Sequence, residues 1–524
     1  MASSHWDAFQ SQSTRQIALF GILIVTSVTF IIYELVRWNS RIPKFSGPVG
    51  LPIVGNLWQL RGKDIPEQYR VWSRKYGAVY QVQLGSIPVL VINSAAAAKA
   101  ILIQNSQATA SRPEFYTFHK IIASTSGTTL GTTPYTNSLR KRRKVVSAAL
   151  NRPAVESYIP HLDIETRFFL AEALKYGQSG GRAIDPMPLF LRLNLSLGLT
   201  LHWGDRMGSQ SEVFQEIVYV EDLISNFRST TGNLQDYVPL LRLNPFNSSS
   251  AIAADMRTRR DKYIAALDRA LDEKMKKGEH KPCIRANVKL DQETKLDEME
   301  LGSLNLTMLT AGLDTMNGAV GWGIAMLATM PEIQKKAQEA IMSTYGDDAP
   351  LCDAYDRQSC DYLFMMIKEI VRYYAVTRLA LPRRSIADFT YEGKLVPKGT
   401  ILFLNAWACN MDPAVWDDPE VFRPERWREQ PDAPLFTFGV GHRMCIGTQL
   451  AYRELYLLFL RLLNSYEIRP QGPIESHPIR GVANRNSLVM LPKSYKVRFI
   501  PRNENALQNA LVEELGQVVL DGKV

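Results

Sequence analysis

The sequence predicts a mostly α, α+β globule carried on one N-terminal transmembrane helix, and three observations support that class. An uncharged apolar run occupies residues 17–33, helical periodicity dominates up to about residue 380, and a few short β-branched segments lie between glycines and prolines. With 524 residues, 46% hydrophobic and 22% charged, the chain has material for one large core. Five scattered cysteines fit a reducing compartment better than a disulfide framework. The seven histidines show no zinc-type spacing. The net charge of +9 is dispersed and accompanied by no nucleic-acid signature. A membrane surface or an acidic redox partner fits that charge, and nucleic acid does not.

Taken in order, residues 1–16 form a short lumenal N-terminus and 17–36 an anchor helix, with Glu34 tolerated near the interface. About twenty helical residues cross roughly 30 Å of hydrocarbon. A cleaved signal peptide is the competing reading, but small residues would follow it, and Tyr33, Glu34, Leu35 and Trp38 stand there instead. Arg37, Arg41 and Lys44 follow the run while only Arg15 precedes it, which places the bulk of the chain in the cytosol. On that topology the glycosylation sequons at Asn194, Asn247 and Asn305 carry no sugar. Residues 37–56, with Pro43, Gly47, Pro48, Gly50, Pro52 and Gly55, make a stiff hinge. The globule itself spans 57–501. Residues 78–84 and 89–92 flank Gly85-Ser86-Ile87-Pro88 as a hairpin. Residues 389–391 and 400–404 predict a second small sheet, and 488–491 and 495–499 predict terminal strands. The tail 502–524 repeats Leu507, Leu511 and Leu515 at amphipathic helical spacing.

The densest chemical signal is Phe438-Gly439-Val440-Gly441-His442-Arg443-Met444-Cys445-Ile446-Gly447. One cysteine sits in a glycine-bracketed loop, two residues after an arginine and just before a helical stretch. Glycines allow close backbone approach, a helix start offers free N–H groups, and Arg443 suits a carboxylate. A second signal is Ala311-Gly312-Leu313-Asp314-Thr315, inside a helical run from roughly 298 to 330. Gly, Asp and Thr are poor helix-interior residues, so their cluster predicts a place where the backbone opens and a ligand approaches. Glu369 and Arg372, at i and i+3, share one helix face.

The pattern Phe-x-x-Gly-x-Arg-x-Cys-x-Gly resembles the haem-binding loop of cytochrome P450 enzymes. The resemblance implies the cytochrome P450 fold, with haem b (iron protoporphyrin IX) held axially by the Cys445 thiolate and a propionate met by Arg443. Phe438 and Gly312 also border that cofactor. Asp314 and Thr315 become the acid–alcohol pair that delivers protons to dioxygen, although Met316 stands where a second hydroxyl is usual. Glu369 and Arg372, with Arg426 from Phe422-Arg423-Pro424-Glu425-Arg426, become a buried structural network. Arg140-Lys141-Arg142-Arg143-Lys144 resembles the basic helix that meets a propionate, with Arg143 the candidate ahead of Arg140 and Leu139 in place of the usual tryptophan. The same run also suits a solvated face recruiting an acidic reductase. No nicotinamide or flavin fingerprint is present, so electrons arrive from a separate protein. The resemblance implies that this is NADPH–cytochrome P450 reductase, drawing on NADPH at the endoplasmic reticulum membrane.

Leu150-Asn151-Arg152-Pro153-Ala154 and Leu450-Ala451-Tyr452-Arg453-Glu454-Leu455-Tyr456 look like filamentous-fungal hydroxylases of small aromatic compounds. That group includes the m-cresol and m-hydroxybenzyl alcohol hydroxylases of patulin formation, the first substrate expectation, and phenylacetate hydroxylases of aromatic catabolism, the alternative. A reductase-independent haem-thiolate isomerase or dehydratase and a non-catalytic haem sensor are the rival classes. Arg378 and the 112–133 segment, with Phe115, Phe118 and His119, are expected near the substrate.

Overall fold

The computed structural model of the chain describes residues 2–515 except 230–231, 245 and 347–349, with side chains described over 16–513 of that range. The apolar N-terminal run continues in both directions as one helix, Ala2–Asn39, within which Gln16–Asn39 is long and apolar enough to cross a membrane and is not buried by the rest of the chain. Its far end is tied down: Glu34 pairs with Arg37 and accepts a 2.7 Å hydrogen bond from the Ile53 N–H.

Among the described residues, eight strands make three small sheets. They are β1 (Val79–Leu84), β2 (Ile87–Ile92), β3 (Arg383–Arg384), β4 (Phe389–Tyr391), β5 (Lys394–Val396), β6 (Ile401–Leu404), β7 (Tyr466–Pro470) and β8 (Val497–Pro501). The first sheet runs β1-β2-β6-β3, with β2 antiparallel to β1 and parallel to β6 from Val89↔Ile401 to Ile92↔Leu404. Two expectations change here. The hairpin turn is tighter than expected, because Ile87 and Pro88 already pair with Leu84 and Gln83. Proline loses nothing there, since the parallel ladder with β6 begins one residue later. Residues 400–404 do not pair with 389–391. That segment is β6 of the first sheet, while β4 closes on β5 through the Glu392-Gly393 turn. Of the two terminal segments, 495–499 contributes to β8, whose partner β7 follows a helix directly; 488–491 forms no strand.

The interior belongs to helices. Leu313–Thr329 is buried along nearly its whole length, among Met187–Trp203, Asp361–Tyr374 and Thr448–Ser465. Glycines permit that crowding: a β-carbon at Gly323 would collide with the Phe459 ring, and one at Gly321 would lie 2.7 Å from Met187 Sδ. The expected continuous helix over 298–330 is instead two, Glu298–Thr310 and Leu313–Thr329. The first opens with an Asp297–Glu300 capping box. At the junction Asn194 Nδ2 donates to the carbonyls of Gly312 (2.9 Å) and Leu313 (3.1 Å), so a neighbouring helix supports the interruption. Asn194 and Asn305 are buried in helices and the Asn247 side chain caps another, so all three sequon asparagines are occupied by packing or hydrogen bonds.

Candidate active site

Gly439 (φ +66°) and Gly441 (φ +61°) take left-handed conformations, and a β-carbon at Gly441 would collide with the Leu102 carbonyl. The loop they permit is closed by the Cys445 N–H donating to the Phe438 carbonyl (2.8 Å) and by the Thr448 hydroxyl donating to the Cys445 carbonyl (3.0 Å). The helix Thr448–Ser465 starts immediately beyond. Of the five cysteines only Cys445 is exposed. It is accessible yet closely surrounded by protein. That burial raises its thiol pKa, against the Gly447 N–H, the Thr448 hydroxyl and the Arg143 charge, which lower it. A bound metal cation reverses this balance, since a coordinating thiol gives up its proton outright. The Phe438 ring packs 5.3 Å from that of Tyr452 beside the loop.

Four arginines from distant parts of the chain converge at the same place. Arg443, 5% exposed, is held by the carbonyls of Ala110, Leu130, Gly131 and Thr133 at 2.9–3.1 Å. Burial, then the charges of Arg143, Arg383 and Arg142, push its pKa down to about 9. Burial and Arg143 push Arg383 down to about 10. Arg112, bonded to the carbonyls of Gly131, Leu381 and Pro382, is lowered by burial and by Arg443, Arg383 and Arg143. Arg143 donates to the Met444 carbonyl at 3.1 Å. Arg443 Nε and Arg383 Nη1 are buried with no hydrogen-bond partner. A cluster of cations with spare donors beside an accessible thiol fits a metal group bearing carboxylates, as haem does. Within the basic helix Asn137–Ala149 the face is divided: Arg143 turns to the cysteine loop, Arg142 is buried against Ser303, and Arg140 lies exposed beside Tyr135. Arg112 and Arg383 escaped sequence reasoning as cofactor residues. Arg112 sits in an irregular stretch and Arg383 in the two-residue β3, each next to proline and too short of neighbours for periodicity to reveal a direction.

The second candidate region is the interrupted helix. Ala311 is exposed there and Gly312 half-buried. A β-carbon at Gly312 would meet Asn194 Oδ1 at 3.5 Å, an ordinary contact, so protein packing does not demand the glycine. The Thr315 hydroxyl donates to the Ala311 carbonyl at 2.9 Å. Asp314 lies 3.7 Å from Arg228 Nη2; burial raises its carboxyl pKa, while Arg228 and Ser225 oppose the rise. A hollow borders this region, walled by Phe115, Phe118, His119, Phe227, Arg228 and Arg112 among others. His119 has both ring nitrogens engaged, at the Phe115 N–H (3.0 Å) and the Thr132 carbonyl (3.2 Å). Arg378 is not in this hollow. It is fully buried elsewhere, paired with Asp64 at 2.9 Å and bonded to the Pro478 carbonyl.

Beneath the cysteine loop, Arg372 meets both Glu369 oxygens at 2.8 Å, and Arg426 Nε reaches Glu369 at 3.0 Å. Trp427 Nε1 and the Arg423 N–H complete the carboxylate's shell at 3.0 Å. The helix Asp361–Tyr374 supplies the first pair, and the short helix Arg426–Glu429 supplies Arg426. Sequence spacing joined Glu369 to Arg372 but offered no sign of Trp427.

A glycine-bracketed cysteine loop, a cluster of arginines beside it and an interrupted central helix in a mostly helical globule are the marks of the haem-thiolate class of enzyme. A model of the cytochrome P450 family matches residues 45–499, and the chain belongs to that family. It is similar to 3-hydroxyphenylacetate 6-hydroxylase of Emericella nidulans, 60% identical over 92% of this chain and 93% of that protein. Phenylacetate 2-hydroxylase of the same organism is 37% identical over 92% and 96% of the two chains. Cytochrome P450 monooxygenase CYP3 of Mycosarcoma maydis is 35% identical over 94% and 93%. The protein is a cytochrome P450 monooxygenase, and its family implies haem iron.

Proposed function

We propose that this monooxygenase hydroxylates the ring of a small arylacetate, of which 3-hydroxyphenylacetate is the reference compound, in aromatic catabolism. The observation that carries the reading is the 60% identity, across nearly the full length of both chains, to a protein named for that reaction. The hollow supports it: aromatic walls for a single ring and a cation for an acid. Haem b, when bound, would supply the activation of dioxygen, and a thiolate ligand would favour O–O cleavage. One oxygen atom enters the C–H bond and the other leaves as water, with two electrons and two protons supplied. Cys445 would hold the iron of that group, and Arg443, Arg143, Arg112 and Arg383 would hold its propionates. Asp314 and Thr315 pass protons at the interrupted helix. The network of Glu369, Arg372 and Arg426 fixes the floor beneath the loop.

Residues 17–36 anchor the protein in the endoplasmic reticulum membrane, 1–16 are lumenal, 37–56 are the hinge, and 57–501 form the catalytic domain in the cytosol ahead of the 502–524 tail. NADPH supplies the electrons through NADPH–cytochrome P450 reductase. The test is turnover by membranes containing the protein and that reductase, with NADPH and each of four substrates. A hydroxylated product from 3-hydroxyphenylacetate or phenylacetate is expected. Product from m-cresol or m-hydroxybenzyl alcohol alone would move the reading to the patulin-type phenols that 150–154 and 450–456 also resemble. Turnover without NADPH would indicate an isomerase or dehydratase. Cys445→Ser is expected to lose the thiolate-type band from the reduced carbon-monoxide difference spectrum while the wild type shows it.

A further inference from the structure

The geometry points to Arg228 as the residue that binds the substrate's carboxylate and so selects arylacetates and the ring position attacked. This rests on the arylacetate reading. Arg228 caps the helix Glu212–Phe227 and turns into the wall of the hollow, with its side chain 10% exposed. Its Nε is buried without a hydrogen-bond partner. Its Nη1 reaches Thr310 Oγ1 only at 3.5 Å, and Nη2 stands 3.7 Å from Asp314, beyond a good hydrogen bond. A buried guanidinium has five donors to satisfy, and this one is left short.

Two arginines line the hollow among the described residues, and their situations differ. Arg112 spends its donors on three carbonyls and belongs to the cation cluster around Arg443. Arg228 is the cation with donors to spare. The nearby acids do not remove its charge cleanly: Asp236 is bonded by the Thr117 N–H and hydroxyl at 2.7–2.8 Å, and Asp314 has its carboxyl pKa raised by burial.

Regiochemistry supplies the second argument. The names of the two Emericella nidulans relatives place the new hydroxyl at ring position 6 or 2, in either case next to the carbon bearing the acetate. A carboxylate one methylene from that carbon has to be held close to the reacting atom, at the oxygen-activating helix and not at the far end of the hollow. Arg228 meets that requirement, since its two terminal nitrogens flank the interruption at Ala311-Gly312 through Thr310 and Asp314. A carboxylate there completes a bidentate pair with the guanidinium.

The test compares 3-hydroxyphenylacetate with its neutral isostere 3-hydroxyphenylacetamide, by optical titration of the full-length haem-loaded protein. The wild type is expected to bind the acid at least tenfold more tightly than the amide. R228Q should weaken acid binding roughly 10–100-fold, the range for a hydrogen bond to a charged group. Its amide binding should change by less than about threefold, so the preference collapses. R228M repeats the test without a polar tip should R228Q load haem poorly. Product analysis adds a readout a structural role would not move: residual product from R228Q should spread to ring positions away from the acetate. An unchanged acid-over-amide preference in R228Q or R228M would overturn the assignment and leave the arylacetate reading standing. A wild type that binds neither compound, while turning over m-cresol, would remove the arylacetate reading and the assignment with it.

Discussion

Glu454 shows how much a single side chain can weigh in this fold. It sits on the helix Thr448–Ser465, 3% exposed, with Oε1 lacking any hydrogen-bond partner. Desolvation alone pushes its carboxyl pKa up to about 8. The folded state therefore holds this proton more tightly than the unfolded chain, where a glutamate titrates near 4.3. Its contribution is fully present below that ordinary value and is lost as pH rises toward about 8. Glu454→Gln removes the titration, so the variant should be more stable than wild type by about 4 kcal/mol near pH 8 and nearly equal near pH 4. Melting temperatures of both proteins at the two pH values check this, and parallel curves would refute it. Glu369 is the contrasting case. It is equally buried, but two guanidiniums, an indole N–H and a backbone N–H surround it. Sequence revealed Glu369 because its partner lies three residues away. It gave no hint that Glu454 lacks one, because a missing partner is a property of three-dimensional neighbours.

Among the elements, the interrupted central helix carries the clearest lesson about local and non-local causes. The concentration of Gly312, Asp314 and Thr315 in one helical run announced the interruption, since each is a poor helix-interior residue. What supports it was hidden: Asn194, more than a hundred positions earlier, donates to the two carbonyls at the junction. The glycines of this segment serve different ends, and substitution separates them. At Gly323 an added methyl collides with Phe459 and crowds Ile370 Cδ1 at 3.1 Å, where three core helices meet. Gly323→Ala should cost about 1–3 kcal/mol through overpacking. At Gly312 the added methyl makes only an ordinary contact with Asn194. Gly312→Ala should keep or raise stability, by up to about 1 kcal/mol from helix propensity. Urea denaturation of the two variants distinguishes them; equal losses would mean that the interruption, too, depends on a missing β-carbon. The sheets were harder to read for the same reason of distance. β6 was legible as a strand from its own residues, but its parallel partner β2 lies about three hundred residues away. Local pattern favoured the nearer β4.

For the molecule as a whole, the class was legible because the cysteine loop is local, whereas the cation cluster of Arg112, Arg143, Arg383 and Arg443 is assembled only by folding. A similar long-range assembly forms the corner where the N-terminal helix meets the globule. Glu34 accepts from Ile53, the Gly85 N–H donates to Val54, and the Ser86 N–H donates to Tyr237. These bonds tie the helix end to the segment that carries exposed Leu240, Leu241, Leu243 and Phe246, with exposed Val49, Leu51 and Trp58 on the same chain of contacts. Exposed apolar groups tied to a helix long and apolar enough to cross a membrane have hydrocarbon as their natural medium. A second attachment beside the helix is therefore expected. A protein lacking residues 2–36 should still float with phospholipid vesicles in a density gradient, more weakly than the full chain. Replacing Leu240, Leu241, Leu243 and Phe246 with serine in the truncated protein should abolish flotation without altering its carbon-monoxide spectrum, because these side chains lie outside the walls of the hollow. Complete release on truncation alone would show that the corner faces water, and that the helix carries the whole of the membrane affinity.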